Sequence, residues 1–272
     1  MIFRRGLETK SAEQVERMRT AGLVVAAMLE RVRRGAVPGT TTAELDVLAR
    51  EVLAEHGARS NFLDYGADAA GHGGFRGVIC TSVNDEVVHG VPGPRELLDG
   101  DLLSVDAGAI VDGWHGDAAI TVEVGTVSDD DATLSRVTHD ALWAGIAAAV
   151  PGARLGDVGH AIESSVPEGY GILEGYTGHG IGTAMHMAPD VPNVGRAGKG
   201  PELVPGVVIA IEPMVTLGSA RSRTLADDWT VVTVDGSRGA HWEHTVAVTA
   251  DGPRVLTALD EGRGRLAPRT PQ

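Results

Sequence analysis

The stretch from Asp101 to Val122 constrains this chain more than any other. It reads Asp-Leu-Leu-Ser-Val-Asp-Ala-Gly-Ala-Ile-Val-Asp-Gly-Trp-His-Gly-Asp-Ala-Ala-Ile-Thr-Val. Two apolar runs flank Asp112-Gly113, a dipeptide that closes two-residue β-hairpins because both positions accept a positive φ. The spacing predicts Val111 opposite Trp114, which sets Asp106 against Ala119 and Asp117 against Gly108. Strand side chains alternate, so Asp106 and Asp117 share a face as diagonal neighbours, roughly 7–8 Å apart at the backbone. Two carboxylates aimed at one another from apolar strands repel and lose hydration, and a cation between them relieves both. A pair of divalent ions about 3.5–4 Å apart suits that gap. The hairpin alone leaves two alternatives, a bulge that turns one aspartate to solvent or a protonated carboxyl.

Around this hairpin the chain repeats one grammar. Ser11-Ala12-Glu13-Gln14 reads as a capping box, and Val15, Met18, Gly22, Val25, Leu29 and Val32 form one buried stripe at three- and four-residue steps. Pro38-Gly39 stops that helix. Thr41-Thr42-Ala43-Glu44 opens a second, with Leu45, Leu48 and Val52 inward and Gly57 closing it. In the second half an Ala-rich helix over 129–149 ends in Ala149-Val150-Pro151-Gly152, matching Ala36-Val37-Pro38-Gly39, and a shorter helix follows each Pro-Gly. Each half then reaches a His-Gly pair, at 89–90 and 179–180, and β-rich segments with two acidic residues in apolar surroundings. The expected fold class is α+β, a duplicated helix–sheet unit with pseudo-two-fold symmetry and a cleft between the halves.

In the second half, Glu212 is embedded in Val-Val-Ile-Ala-Ile-Glu-Pro-Met and Glu243 precedes an apolar strand in His-Trp-Glu-His-Thr-Val-Ala-Val. His179 and His186 are glycine-flanked and seven apart, which is not the His-x-x-x-His spacing of a helical zinc site. His56, His139 and His160 are read as ordinary core or surface histidines. Alternation is taken to point His115 and His244 away from the acidic face.

Charge and cysteine content narrow the function. Lys plus Arg number 23 against 37 Asp plus Glu, a net charge of −14 that disfavours nucleic-acid binding. The single cysteine, Cys80, rules out an internal disulfide and agrees with a cytoplasmic location. No signal peptide and no apolar run near the roughly 20 residues of a membrane span are visible.

Six motifs taken together resemble type I methionine aminopeptidases, and the likeness runs from about Ser11 to Leu259. They are Cys-Thr-Ser-Val-Asn-Asp-Glu-Val-Val-His-Gly at 80–90, Val-Asp-Ala-Gly at 105–108, His-Gly-Asp-Ala-Ala at 115–119, Gly-His-Gly-Ile-Gly at 178–182, Ile-Glu-Pro-Met at 211–214 and Trp-Glu-His-Thr at 242–245. The resemblance implies the pita-bread fold, with an antiparallel sheet cradling a dinuclear metal site. It implies ligation by Asp106, Asp117, His179, Glu212 and Glu243. Such a mostly hard, thiolate-free set suits Co, Mn, Fe or Zn without choosing among them. A hydroxide activated by two ions then attacks the carbonyl after an initiator methionine whose following residue is small. Glu212 shuttles the proton to the leaving amine, His186 stabilises the oxyanion, and His89 contacts the scissile amide.

The resemblance also implies a methionine pocket of Phe62, Tyr65, Phe75, Cys80, Met185 and Trp229, whose aromatic and sulfur-bearing walls favour a thioether. Nascent-chain N-termini are the implied partners, with a transient ribosome contact, no membrane and a monomeric state. The expected division is an extension over 1–10, one catalytic domain over 11–259 with pseudo-repeats at about 11–125 and 126–259, and a flexible tail over 260–272. The chain departs from the family pattern by an insertion at 66–73, by Asp64 for a glycine and by Arg76 for a proline. The insertion is read as a rim that affects how the residue after methionine is admitted. The rival readings are an Xaa-Pro aminopeptidase or prolidase-like hydrolase, for which the N-terminal extension is short, and an inactive pita-bread module that binds peptides.

Overall fold

Ser11 accepts a hydrogen bond from the Gln14 amide while the Gln14 side chain accepts from the Ser11 amide, and this box opens helix α1 (Ala12–Gly35). Thr41 and Glu44 repeat the device at α2 (Thr42–Glu55). Ser128 caps α3 (Asp129–Ala148), whose first turn carries three aspartates that suit the positive end of the helix dipole. After Pro151-Gly152 comes α4 (Leu155–Ser165). The structure, a computed structural model, describes residues 7–266.

The two helix pairs back two antiparallel sheets. In the first half, strand Leu102–Val111 is central, pairing with Ile79–Val83 and Arg59–Ser60 and, through the hairpin, with Trp114–Glu123. In the second half five strands run in the order Gly252–Val255, His244–Thr249, Val208–Ile211, Gly178–Gly180 and Met187–Val191. Two three-stranded sheets complete the β structure of the described residues. One apolar core draws only on residues from Val24 to Val124, and a second draws its buried members from Ala141 to Val255. This is the packing expected of a duplicated unit in which each sheet buries one face under its own helices.

Close backbone approach fixes α1 on the hairpin. Gly22 lies where a Cβ would stand 2.3 Å from the Leu256 carbonyl oxygen, and a Cβ on Gly116 would meet the Gly22 amide at 2.8 Å. Gly22 therefore belongs to the predicted stripe for clearance rather than for apolar bulk.

The halves are stitched along one seam. The Asp117 amide donates to Thr245 Oγ1, which donates in turn to the Asp117 carbonyl, at 3.1 and 2.8 Å. Ala119 and Glu243 exchange backbone hydrogen bonds, and Thr121 Oγ1 donates to the His241 carbonyl.

The chain ends differ from their compositional reading. Residues 260–266, expected to begin a loose tail, close on the body of the protein. Glu261 binds Arg254, Asp260 caps the Gly262 and Gly264 amides, and Leu266 of α5 (Arg263–Leu266) packs on the second core. Charge-rich sequence conceals a hydrogen-bonded turn there. The rest of that tail, 267–272, and residues 1–6 of the extension lie outside the described residues. Lys10 in the extension is buried and donates its amide to Gly206. Among the described residues no helix is long and apolar enough to cross a membrane.

Candidate active site

The hairpin register is the predicted one: Val111 pairs Trp114, Asp106 pairs Ala119 and Gly108 pairs Asp117. Both aspartates thus face away from α1, toward the seam with the second half. Glu212 stands just beyond strand Val208–Ile211, where Pro213 cannot continue the ladder. Glu243 is held by its backbone bonds to Ala119, and His179 lies within strand Gly178–Gly180.

These side chains meet in one cavity of about 100 Å³. Its walls are Asp106, Asp117, His179, Glu212 and Glu243, then His89 and His186, then Phe62, Tyr65, Phe75, Cys80, Met185 and Trp229. Asp117, His179 and Glu243 each bring a ligand atom within 4.8 Å of the others, and so do Glu212, His241 and Glu243. Asp106 borders the cavity outside both close groups. His179 Nδ1 lies 3.0 Å from the Gly180 carbonyl, which accepts its proton and leaves Nε2 unprotonated toward the cavity, 3.5 Å from Glu212.

The electrostatics favour a cation. Asp106 Oδ1, Asp117 Oδ1 and Glu243 Oε1 are buried without a hydrogen-bond donor. Among the described residues no lysine or arginine pairs with any of the four carboxylates. Burial pushes Asp106 up to about 7. Burial, with mutual repulsion behind it, raises Asp117, Glu212 and Glu243 well above the ordinary carboxylate range. Desolvation holds His89 and His179 down to about 4, so both are neutral at pH 7. Four oxygen-donor groups and one neutral imidazole around a shared cavity fit divalent ions.

The walls are packed edge to face. Phe62 and Phe75 centroids are 6.3 Å apart, and Phe75 and Trp229 are 5.4 Å apart. Cys80 is the cross-strand partner of Asp106, and burial next to that carboxylate raises its thiol well above its usual value, making it an inert wall. His89 adopts a positive φ of 59°, a strained conformation for a non-glycine residue, with its ring 5.9 Å from Tyr176.

Two expectations need correction or addition. His115 sits two residues from Asp117 on one strand, so period-two alternation places it on the acidic face, not opposite it. It is too far toward the hairpin turn to border the cavity. His244 does point away, toward Thr257 and Trp143. Sequence reasoning missed His241, which is buried with Nε2 3.7 Å from Glu212. Its place two residues before Glu243 was the available signal.

The chain is similar to proteins of one metallopeptidase family. Residues 16–250 match the model of metallopeptidase family M24. The methionine aminopeptidase 1 of Mycobacterium tuberculosis is 52% identical over 262 residues, covering 93% of this chain and 96% of that protein. A crystal structure of a methionine aminopeptidase from Thermotoga maritima superposes with a TM-score of 0.88 at 41% identity, over 92% of this chain and 99% of that one. The prolidase from Pyrococcus horikoshii shares the fold at a TM-score of 0.73 and 20% identity, with 92% of this chain matched to 63% of that one.

Proposed function

The chain belongs to metallopeptidase family M24, and from that premise we propose that it is a methionine aminopeptidase removing the initiator methionine from new proteins whose second residue is small. The observation that carries this reading is a single cavity in which four carboxylates and His179 face a wall of aromatic and sulfur-bearing side chains. That wall suits an unbranched thioether. The family and the donor set establish divalent-metal binding. We assign two ions, drawn from Co, Mn, Fe or Zn, to Asp106, Asp117, His179, Glu212 and Glu243. When bound, they supply a water nucleophile that ionises near neutral pH and polarise the scissile carbonyl.

The remaining steps fall to this chain's own side chains. Phe62, Phe75, Cys80, Met185 and Trp229 enclose the methionine side chain and exclude water from it. His89, neutral and fixed by its strained backbone, contacts the scissile amide. His186 donates to the developing oxyanion. Glu212 takes the proton released by the nucleophilic water and passes it to the leaving amine. The substrates are N-termini emerging in the cytoplasm, met by transient contact with the ribosome and by a monomeric enzyme.

Identity separates the rivals: the methionine aminopeptidase 1 relative is 52% identical over 93% of this chain, whereas the prolidase shares the fold at 20% identity. All five candidate ligands border the cavity, which favours an enzyme over an inactive module. The test is hydrolysis of Met-Ala-Ser and of Ala-Pro peptides by metal-stripped protein with and without Mn²⁺. Cleavage of Met-Ala-Ser only, and only with metal, is expected. Preferential cleavage of the Ala-Pro peptide overturns the assignment, and silence toward both at every metal tried favours the binding module.

The carboxylates also set a pH dependence. In the metal-free protein Asp106, Asp117, Glu212 and Glu243 have folded pKa values above their unfolded ones, so the native state binds more protons. The stability penalty is absent below about pH 4, grows as pH rises, and for Asp106 is complete above about 7. The melting temperature of stripped protein is expected to fall between pH 5 and pH 8, and saturating Mn²⁺ to remove that fall. A flat or rising profile without metal contradicts the repulsion described above.

A further inference from the structure

We propose that Tyr65 is a positioning residue: its hydroxyl donates to Nδ1 of His186 and so holds that imidazole as the Nε2–H tautomer, ready to donate into the cavity. The proposal rests on the function assigned above and adds a residue that acts through another. The Tyr65 hydroxyl lies 2.7 Å from His186 Nδ1, across 121 residues of sequence and from one half of the molecule to the other. Among the described residues this hydroxyl is the ring's one hydrogen-bond partner, and the two rings meet edge to face at 5.3 Å.

A neutral imidazole has one donor nitrogen, and the group bonded to one nitrogen decides the role of the other. If Nδ1 carried the proton, Nε2 would offer a lone pair to the developing oxyanion, which repels it. A hydroxyl donating to Nδ1 sets the proton on Nε2, where it can be donated to that oxyanion. The edge-to-face contact with His179, at 4.4 Å between centroids, fixes the ring plane from the other side.

Tyr65 is 42% exposed, so apolar packing does not account for its fixed place. The neck of the insertion does. The Asp64 amide donates to Phe75, the Phe75 amide donates to Tyr65, and the Tyr65 amide donates to Phe62. Asp64 takes a φ of 61° to make this turn. Beyond the neck, Asp68 accepts from the Ala70 and His72 amides, and Gly73 accepts from Trp229 Nε1 at 3.3 Å. None of residues 66–73 lines the cavity. The insertion therefore works on the site through Tyr65 and Trp229, as a brace at the cavity mouth.

The experiment compares Tyr65→Phe, His186→Ala and the double variant on Met-Ala-Ser with saturating Mn²⁺, alongside ¹⁵N shifts of the His186 ring in the diamagnetic Zn²⁺-loaded protein. Tyr65→Phe is expected to lower kcat on the order of tenfold, the upper range for one neutral hydrogen bond, with KM changed less than about twofold. In the His186→Ala background the same change should cost nothing further, because the hydroxyl acts only through that ring. The ring shifts should report Nε2–H in the parent and a mixture of tautomers in Tyr65→Phe. An effect of Tyr65→Phe that persists without His186, or a tautomer indifferent to the hydroxyl, overturns the proposal. Normal turnover in His186→Ala, with the tautomer still dependent on Tyr65, would instead sink the oxyanion role and leave the positioning contact standing.

Discussion

Asp117→Ala is expected to lose at least one divalent ion and to fall to the limit of detection in turnover. Asp117 is 3% exposed and shares its close group with His179 and Glu243. Removing it leaves only His179 and Glu243 of that group to hold an ion. The backbone of residue 117 keeps both bonds to Thr245, so the variant should fold. Its metal-free form should melt higher than the metal-free parent, since one of four mutually repelling carboxylates is gone. That pairing of lost metal with gained apo-stability is hard to produce by misfolding. Glu243→Ala and Asp106→Ala should behave alike. Elemental analysis is the measurement, and an Asp117→Ala protein that holds two ions and turns over normally would refute the ligand set.

His186→Ala should keep its metals and lose turnover by roughly 10²–10³-fold, the scale of one lost oxyanion donor. His186 lines the cavity, yet it lies outside both close ligand groups. Desolvation lowers its pKa, so the ring is a neutral donor in the working range. Metal stoichiometry separates the two possible roles. Full loading with low kcat supports the donor, whereas loss of an ion would make His186 a ligand and require a redrawn site.

What could be read beforehand was whatever short-range rules control. Asp112-Gly113 set the hairpin, and period-two alternation then carried Asp106 and Asp117 to their observed partners without knowledge of any distant residue. The capping residues Ser11 and Thr41 opened their helices for the same local reason. The gathering of His179 and Glu212 around that hairpin depends on contacts between halves, and only the resemblance implies it. His241 belongs to no metal-binding spacing of its own, and only its two-residue step from Glu243 marks it. His115, two residues from Asp117, follows the same period-two rule onto the acidic face. The turn over 260–266 has no local signature because Arg254, the main partner of Glu261, meets it only once the last strand is in place.

The seam through Thr245 and Glu243 has a consequence for timing. Asp106 and Asp117 lie in the first half, whereas His179 and Glu212 follow much later, and Glu243 is near the end of the 272-residue chain. A ribosome making this protein from the N-terminus therefore releases its acidic hairpin long before the partners that complete the cradle. During that interval the half-made chain offers a cation two carboxylates at most, too few to retain it against hydration. On the proposed ligand set, acquisition of metal is postponed until synthesis is nearly finished, and the last of the five proposed donors to appear, Glu243, is also the one whose backbone closes the join to Ala119. Chelation and closure of the molecule are then a single late event, so a truncated product arrives without hydrolytic capacity.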